Sequence, residues 1–567
     1  MDFIRGYPRA DYRYLDVEKG YWKLYDSPHA VPLVVQNNNN LYSMDTTYRN
    51  FLAGLEAEEY PDMVYIPAND GLLHAFYLKD VGAPHEGLTS EHYDEEAGRE
   101  AWAWMPGYLL EREHANDWAG RAIDMMLYGR TFLFDGSPIF EDVWIDENGN
   151  NEKDCDSVPD DCEWHRILVV QQGKGGPVTL ALDITNPLDP QFLWEQTDED
   201  DPTAMGYTVG RPVVTNVYDV SGEEPRDRWV AMWGSGRAVP YGRKEAYYKS
   251  SEANLYMWYV GDTHFSESTY VYSQRGDNGH PEASTEGSDL QYDSDDNYEY
   301  GYISAALAVV DTDSDGDADT VYFPVTASYK PSSEGGSGPS SVKDPGSTWM
   351  YKACIDTEDP DDLTWVEFFD PKDDGELDTR PEVYYAATTS WHSDGQLGVY
   401  WGTGTPYDRD YSSSPGYFFA VKDSNPKSCT SFDVNPITNC GDNGVYELDS
   451  GEGLTADPIV YAGVVYFTTW VPNEDRCEGG VGRLYGLNFE DCSEGMDTDG
   501  TDGVDSSDQD YIEHEDEYLS GVTVTEQGSL VYGTSNPSGD GSDGIVTRDV
   551  ADDPFMGTAA MAWLEVF

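Results

Sequence analysis

The stretch Asp311-Thr312-Asp313-Ser314-Asp315-Gly316-Asp317-Ala318-Asp319 puts a carboxylate at every second position. A hard calcium ion takes about six to eight oxygen ligands, and a tight loop supplies them from side chains at its first, third and fifth positions. A glycine at the sixth position takes the sharp turn, and a main-chain carbonyl serves at the seventh. Here Asp311, Asp313 and Asp315 offer the side chains, Gly316 the turn, Asp317 its carbonyl, and Asp319 closes the ninth position. An EF-hand would carry Glu at the twelfth position, which is Tyr322, and the flanks 305–310 and 320–325 read as strands. The pattern therefore predicts an EF-like calcium loop in a β-hairpin. The competing reading is a solvated acidic turn, but inward carboxylates without a cation would repel one another severely.

Two further stretches repeat the spacing less fully. Asp146, Asn148, Asn150, Glu152 and Asp154 form a second candidate, with Asn151 at the turn position, where Asn tolerates left-handed backbone. Its smaller charge implies weaker binding, and an ordinary loop closed by a disulfide is the alternative. Asp497, Asp499, Thr501, Gly503 and Asp505 form a third candidate; Asp293, Asp295 and Asn297 read as a solvated echo. No nucleophile elbow, HExxH, P-loop or GxGxxG after a strand occurs, so no catalytic residue is assigned. The ten His are scattered, and His74 and His392 read as satisfied core or rim residues. No CxxCH occurs, which argues against covalent haem, and carboxylates are too abundant for a glycosidase pair to stand out.

The chain has 567 residues, 33 Lys plus Arg against 108 Asp plus Glu, and a net charge of −75. Such a surface repels phosphate backbones and anionic lipid, which excludes nucleic acid and electrostatic membrane docking as functions. It suits divalent cations, high salt or a basic partner. The hydrophobic share of 39% and aromatic share of 13% are enough for a packed core. No apolar run is long enough to span a bilayer, and the start Met1-Asp2-Phe3-Ile4-Arg5-Gly6 lacks the pattern of a signal peptide, so a fragment or processed product is expected. Six of the seven cysteines fall in close pairs, Cys155/Cys162, Cys429/Cys440 and Cys477/Cys492, and predict three short disulfides in an oxidising compartment. Cys354 reads as a lone buried thiol.

The elements that must carry these loops are short strands rich in β-branched and aromatic residues, closed by Gly, Asn or Asp. Met63-Val64-Tyr65-Ile66, Trp229-Val230-Ala231-Met232-Trp233 and Gly463-Val464-Val465-Tyr466-Phe467 are examples. Only 95–127 has helical character, interrupted by Pro106. A strand, turn and second strand of the type Leu-x-Ala-Leu-Asp recurs near 63–80, 166–197, 212–262, 303–370, 380–424, 454–492 and 519–566. The expected fold is all-β: a modified seven-bladed β-propeller over 61–567 with long acidic loop insertions, a short helical insertion near 95–127, and a lead-in segment 1–60 packed on it. A β-sandwich array is the competitor. The polar segments 281–300, 331–345, 406–414 and 493–517 read as surface loops, and Asn37 to Asn40 as a turn.

A family resemblance rests on several stretches in order. They are Ile4-Arg5-Gly6, the run from Met63 to Phe76 with Asn69-Asp70-Gly71-Leu72-Leu73-His74-Ala75-Phe76, and Phe134-Asp135-Gly136-Ser137-Pro138. Gly175-Gly176, Ala181-Leu182-Asp183-Ile184-Thr185-Asn186-Pro187, Leu193-Trp194-Glu195 and Gly206-Tyr207-Thr208-Val209-Gly210 follow. The succession resembles the C-terminal β-propeller of PilY-type proteins, the type IV pilus tip adhesins and biogenesis factors; it is specific over 1–320 and thinner beyond. The resemblance implies a nine-residue calcium loop, matched by Asp311, Asp313, Asp315, the Asp317 carbonyl and Asp319. It also implies a non-enzymatic protein, exported through the periplasm to the pilus tip or outer cell surface. There it would meet minor pilins and a host or abiotic surface, with calcium influencing pilus extension against retraction, adhesion and twitching motility. A variable N-terminal adhesive module is expected on the same precursor.

Two rival readings come from other classes. Asn-Asp-Gly-x-Leu-x-Ala-Phe strands also mark quinoprotein (PQQ) propeller dehydrogenases, which usually carry a vicinal disulfide, and no adjacent Cys pair exists here. An integrin-type adhesion propeller would repeat its calcium loops at one blade position, whereas the candidates here are irregularly spaced. Arg275-Gly276-Asp277 reads as a polar turn.

Overall fold

The computed structural model describes residues 15–16, 20–21, 25–36, 42, 45–78, 98–109, 132–146, 152–157, 161–196, 205–208, 210–219, 226–236, 253–261, 300–328, 347–355, 363–404, 414–473, 475, 479–498, 504, 508–525, 528–535 and 544–549. Two compact units divide the chain: Met1–His280 with Tyr300–Tyr302 and Tyr329–Ser341, and Pro281–Glu299 with Ile303–Ser328 and Val342–Phe567. In the first unit three antiparallel sheets follow one another. The first joins Leu33–Val35, Met63–Ala68, Leu72–Tyr77 and Glu100–Trp104 in that order. The second joins Ile139–Trp144, Trp164–Gln171, Thr179–Asp183 and Gln191–Gln196, and the third Val213–Asp219, Arg226–Gly234 and Leu255–Tyr259. Alternating side chains pack sheet face on sheet face. Met63, Tyr65 and Leu73 meet Leu168, Val170 and Leu180, while Val143 and Trp164 share a core with Trp229, Trp233 and Trp258.

The α-helix among the described residues of this unit is Thr46–Ala57. Asp45 caps it, its Oδ1 accepting from the amides of Thr47 (2.7 Å) and Tyr48 (3.2 Å). Tyr48, Phe51 and Leu55 recur at helical spacing and are fully buried in the core shared by the second and third sheets. Tyr48 also donates to Asp142 Oδ2 (2.8 Å), which Arg166 grips from the next strand at 2.7 and 2.9 Å. The helical reading of 95–127 is corrected at Glu100–Trp104, which is a strand paired Leu73 to Trp104 and Ala75 to Trp102. Its Ala and Glu are good helix formers, but propensity is a weak prior and pairing along the edge of the first sheet overrides it. Residues 110–131 lie outside the described residues.

His74 lies on Leu72–Tyr77, just past the Asn69-Asp70-Gly71 turn, where Gly71 takes a φ of 89°. Its buried ring sits between Glu100 Oε1 (2.5 Å from Nδ1) and Asp70 Oδ1 (3.1 Å from Nε2). Burial opposes the charge, but the hydrogen bonds and charges of Asp70 and Glu100 outweigh it and push the imidazole up to about 9.

The second unit holds four successive sheets. The fourth sheet of the chain contains Ala308–Val310, Thr320–Ser328, Thr348–Ile355 and Leu363–Phe369. The fifth is built on Thr388–Trp391, Leu397–Gly402, Pro415–Asp423 and Val445–Ser450; the sixth on Ile459–Tyr461, Val464–Val471, Val481–Asn488 and Tyr511–Glu515. The seventh joins Thr523–Val524, Ser529–Gly533 and Ile545–Asp549. Cores again lie between successive sheets: Tyr322 and Met350 with Val399 and Trp401, then Phe418 stacked on Phe467 at 4.1 Å, then Tyr466 with Leu530.

The cysteines differ from their expected pairing. Cys155–Cys162 closes the small ribbon of Cys155–Ser157 and Asp161–Cys162. Cys429 is bonded to Cys354, and Cys440 to Cys492, so neither Cys429/Cys440 nor Cys477/Cys492 forms, and Cys354 is no lone thiol. Cys477 itself lies outside the described residues. The reason is spatial: a disulfide needs Cα atoms within about 7 Å, and sheet stacking brings distant cysteines to 5.9 and 5.2 Å. One bond ties the fourth sheet to the fifth, the other the fifth to the sixth.

Two outcomes are expected. Non-reducing peptide mapping should recover Cys354 linked to Cys429, and replacing both by Ser should cost about 2 to 4 kcal/mol of unfolding free energy; a Cys429–Cys440 peptide would contradict the assignment. The raised imidazole of His74 contributes its stability in full below its unfolded value of 6.5 and loses it as pH rises through about 9. With Glu100 half exposed, the loss should be about 2 kcal/mol across that window in denaturant titrations, and His74→Gln should flatten it.

Candidate metal centre

Asp311 to Asp319 connects two paired strands, Val310 facing Thr320 and Ala308 facing Tyr322. The strands hold the loop closed at its base: the Asp319 amide donates to the Val310 carbonyl (3.0 Å), and the Ile355 amide to the Asp319 carbonyl (2.8 Å). Within the loop, Asp311 Oδ1 accepts from the amides of Asp313 (3.2 Å) and Ser314 (2.7 Å), and its Oδ2 from the Gly316 amide (2.8 Å). Ser314 and Gly316 sit at φ 62° and 103°. A Cβ on Gly316 would meet open space, so glycine answers the sign of φ and not crowding. Asp315 Oδ1 accepts from the Asp317 amide (3.1 Å), and Asp319 Oδ2 from the Thr312 amide (2.8 Å) and hydroxyl (2.5 Å).

The result is a cradle. Carboxylate oxygens of Asp311, Asp313 and Asp315 lie within 4.8 Å of one another, the one such triad of potential metal ligands among the described residues. An all-oxygen, multiply charged donor set of this kind matches calcium and is unsuited to soft metals. Asp317 and Asp319 follow at the buried side of the loop.

A cationic side chain already stands against this cluster. The Lys427 ammonium is ion-paired with Asp313 Oδ2 and lies 3.8 Å from Asp319 Oδ2. It arrives on the segment that follows Pro415–Asp423, and that segment is pinned on both sides of it. Thr320 Oγ1 donates to the Pro426 carbonyl (2.6 Å), and Cys429 is bonded to Cys354. The fully buried Lys352 ammonium donates to Asp423 Oδ2 (2.6 Å) and to the carbonyls of Asn425 (2.9 Å) and Ser428 (2.8 Å). Tyr322 donates to the same Asp423 oxygen (2.7 Å), and Phe432 lies 4.2 Å from the ammonium.

The carboxyls respond in opposite directions. The hydrogen bond from Lys427 holds Asp313 below the usual carboxylate range. Burial and the charges of Asp313 and Asp311 push Asp315 up. Lys427 rises despite partial burial, held by Asp313, Asp319 and Asp315.

The other two candidate loops are only partly described. Asp146, Glu152 and Asp154 are not gathered into a triad, and Asn148 and Asn150 lie outside the described residues. The Asp154 amide donates to Glu163 Oε2 (3.1 Å). Of the third candidate, Asp497 accepts at its carbonyl from Arg548 (2.5 Å), while Asp499, Thr501, Gly503 and Asp505 lie outside, as does Arg275-Gly276-Asp277. Sequence reasoning overlooked Lys427, Lys352 and Asp423. A lysine inside Trp349-Met350-Tyr351-Lys352-Ala353-Cys354 was the available signal, because a charge in an apolar run demands a buried partner.

No family model matches the chain. The type IV pilus biogenesis factor PilY1 of Pseudomonas aeruginosa (strain UCBPP-PA14) is 27% identical over 243 residues, 42% of this chain and 17% of that protein. A PilY1 homologue of Xylella fastidiosa is 24% identical over 259 residues, 43% of this chain and 14% of its own length. The chain thus aligns with less than a fifth of either relative. The crystal structure of the Pseudomonas aeruginosa PilY1 C-terminal domain superposes with a TM-score of 0.51 at 18% identity, covering 86% of this chain and 94% of that one. The chain has the fold of that domain, a β-propeller. Among the described residues, the seven sheets of three or more strands are the seven blades, with very little helix. No described helix of the chain is long and apolar enough to cross a membrane.

Within it the buried Lys352–Asp423 pair sets how the Lys427 segment seats on the loop. Lys352→Ala should lower unfolding free energy by about 3 to 5 kcal/mol, because it strands the Asp423 charge. Lys352→Met with Asp423→Leu should recover much of that loss in the same denaturant titration; equal losses would contradict a mutually compensated pair.

Proposed function

We propose that this chain is the calcium-binding, non-enzymatic C-terminal propeller of a type IV pilus biogenesis factor, working at the pilus tip on the cell exterior. The observation that carries the calcium reading is the triad of Asp311, Asp313 and Asp315 oxygens within 4.8 Å, backed by Asp319 and the Asp317 carbonyl in a turn between two paired strands. The pilus reading rests on the likeness to PilY1.

Calcium supplies two positive charges to a loop that carries five aspartates in nine residues. The chain's own part is to hold those oxygens together: Gly316 turns the backbone, Asp311 is oriented by three main-chain amides, and strand pairing fixes the base. Ordering of the hairpin then passes to the next blade through Thr320, Pro426 and the Cys354–Cys429 bond. Minor pilins are the proposed partners of the ordered face, and host or abiotic surfaces its proposed contacts, so calcium occupancy would bias pilus extension against retraction.

Asp311→Ala should weaken calcium binding about 100-fold or more in calorimetric titration. In the organism that makes this protein, the same substitution should change the number of surface pili. Unaltered calorimetry would contradict the metal assignment, and unaltered piliation with lost calcium binding would separate calcium from biogenesis.

A further inference from the structure

We propose that Lys427 is a tethered competitor for the cation of the 311–319 loop, holding the loop together when calcium is scarce and yielding its place when calcium binds. The inference rests on the calcium reading above and adds an internal control of its affinity.

Three observations carry it. First, the ammonium bridges two carboxylates of the loop, paired with Asp313 and 3.8 Å from Asp319. Asp313 is one of the three residues whose oxygens converge, so an ammonium that hydrogen-bonds it and a calcium ion that coordinates it make competing demands on the same group. Second, the placement is built. Pro426 and Ser428, the residues on either side of Lys427, are each anchored at their carbonyls, by Thr320 and Lys352 respectively. Cys429 is covalently held to Cys354, on the strand beside Thr320–Ser328. Such a tether keeps the lysine at the loop at high effective concentration without any binding event. Third, the exchange is cheap. The Lys427 side chain is 45% exposed, so once released it is hydrated directly, and its flexible stem lets the charge move while the backbone stays anchored.

The arrangement has a consequence for response. One positive charge offsets part of the repulsion among five aspartates, so the hairpin keeps its form at low calcium. The same charge must be displaced by the ion, which raises the calcium concentration at which the site fills.

The test is calorimetric titration of the purified chain with calcium chloride at fixed ionic strength, together with thermal melting in chelator and in saturating calcium. The wild type, Lys427→Met and Lys427→Arg are compared. Lys427→Met should bind calcium about 5-fold more tightly, the scale of a partly exposed ion pair. It should melt below the wild type in chelator and level with it in saturating calcium, while Lys427→Arg should keep the wild-type affinity. Equal affinity and equal chelated melting for Lys427→Met would overturn the competitor role and leave the calcium site standing. Absence of calcium binding in all three proteins would overturn the calcium reading itself.

Discussion

A lysine with no access to solvent governs the architecture around the candidate site. Lys352 cannot be left unpaired in the interior, since an uncompensated buried charge costs several kcal/mol, so it gathers Asp423 and the carbonyls of Asn425 and Ser428 about itself. Those groups belong to the next blade. The ion pair therefore works as a register pin between two sheets, with Tyr322, Thr320 and the Cys354–Cys429 bond completing the seam. The placement of Lys427 depends on this seam, because a side chain on an untied loop would have no reason to stand over Asp313.

The same logic recurs across a chain with far more carboxylates than cations. Arg166 grips Asp142, Arg380 grips Asp370 and Arg483 grips Glu452, each pair with a carboxylate that is almost wholly buried. The scarce cations thus stand where desolvation makes an unpaired carboxylate most costly. The 311–319 loop is where, among the described residues, three carboxylates converge within 4.8 Å, and one lysine falls short of neutralising its five aspartates.

The blades were legible because each consists of short β-branched and aromatic strands closed by Gly, Asn or Asp, and seven such units recur. The convergence of Asp311, Asp313 and Asp315 was legible for a similar reason: the alternation of carboxylates is a local property of nine consecutive residues. What escaped was set by tertiary contact. Thr46–Ala57 is weakly helical in composition, with Thr at its start and Gly54 inside, and it forms because Tyr48, Phe51 and Leu55 find a core. Glu100–Trp104 read as helix and became the edge of a sheet. Cysteine spacing favoured neighbours, whereas blade stacking chose Cys354 for Cys429 and Cys440 for Cys492. Lys427 lies more than a hundred residues from the loop it contacts, beyond the reach of any local pattern.

The most direct measurement is a crystal structure of the chain grown with ample calcium, with anomalous differences collected at long wavelength. The account predicts a peak ringed by the oxygens of Asp311, Asp313, Asp315 and Asp319 and the Asp317 carbonyl at about 2.3 to 2.6 Å, with Lys427 drawn away from Asp313. A cradle without a peak, still closed by Lys427, would contradict it.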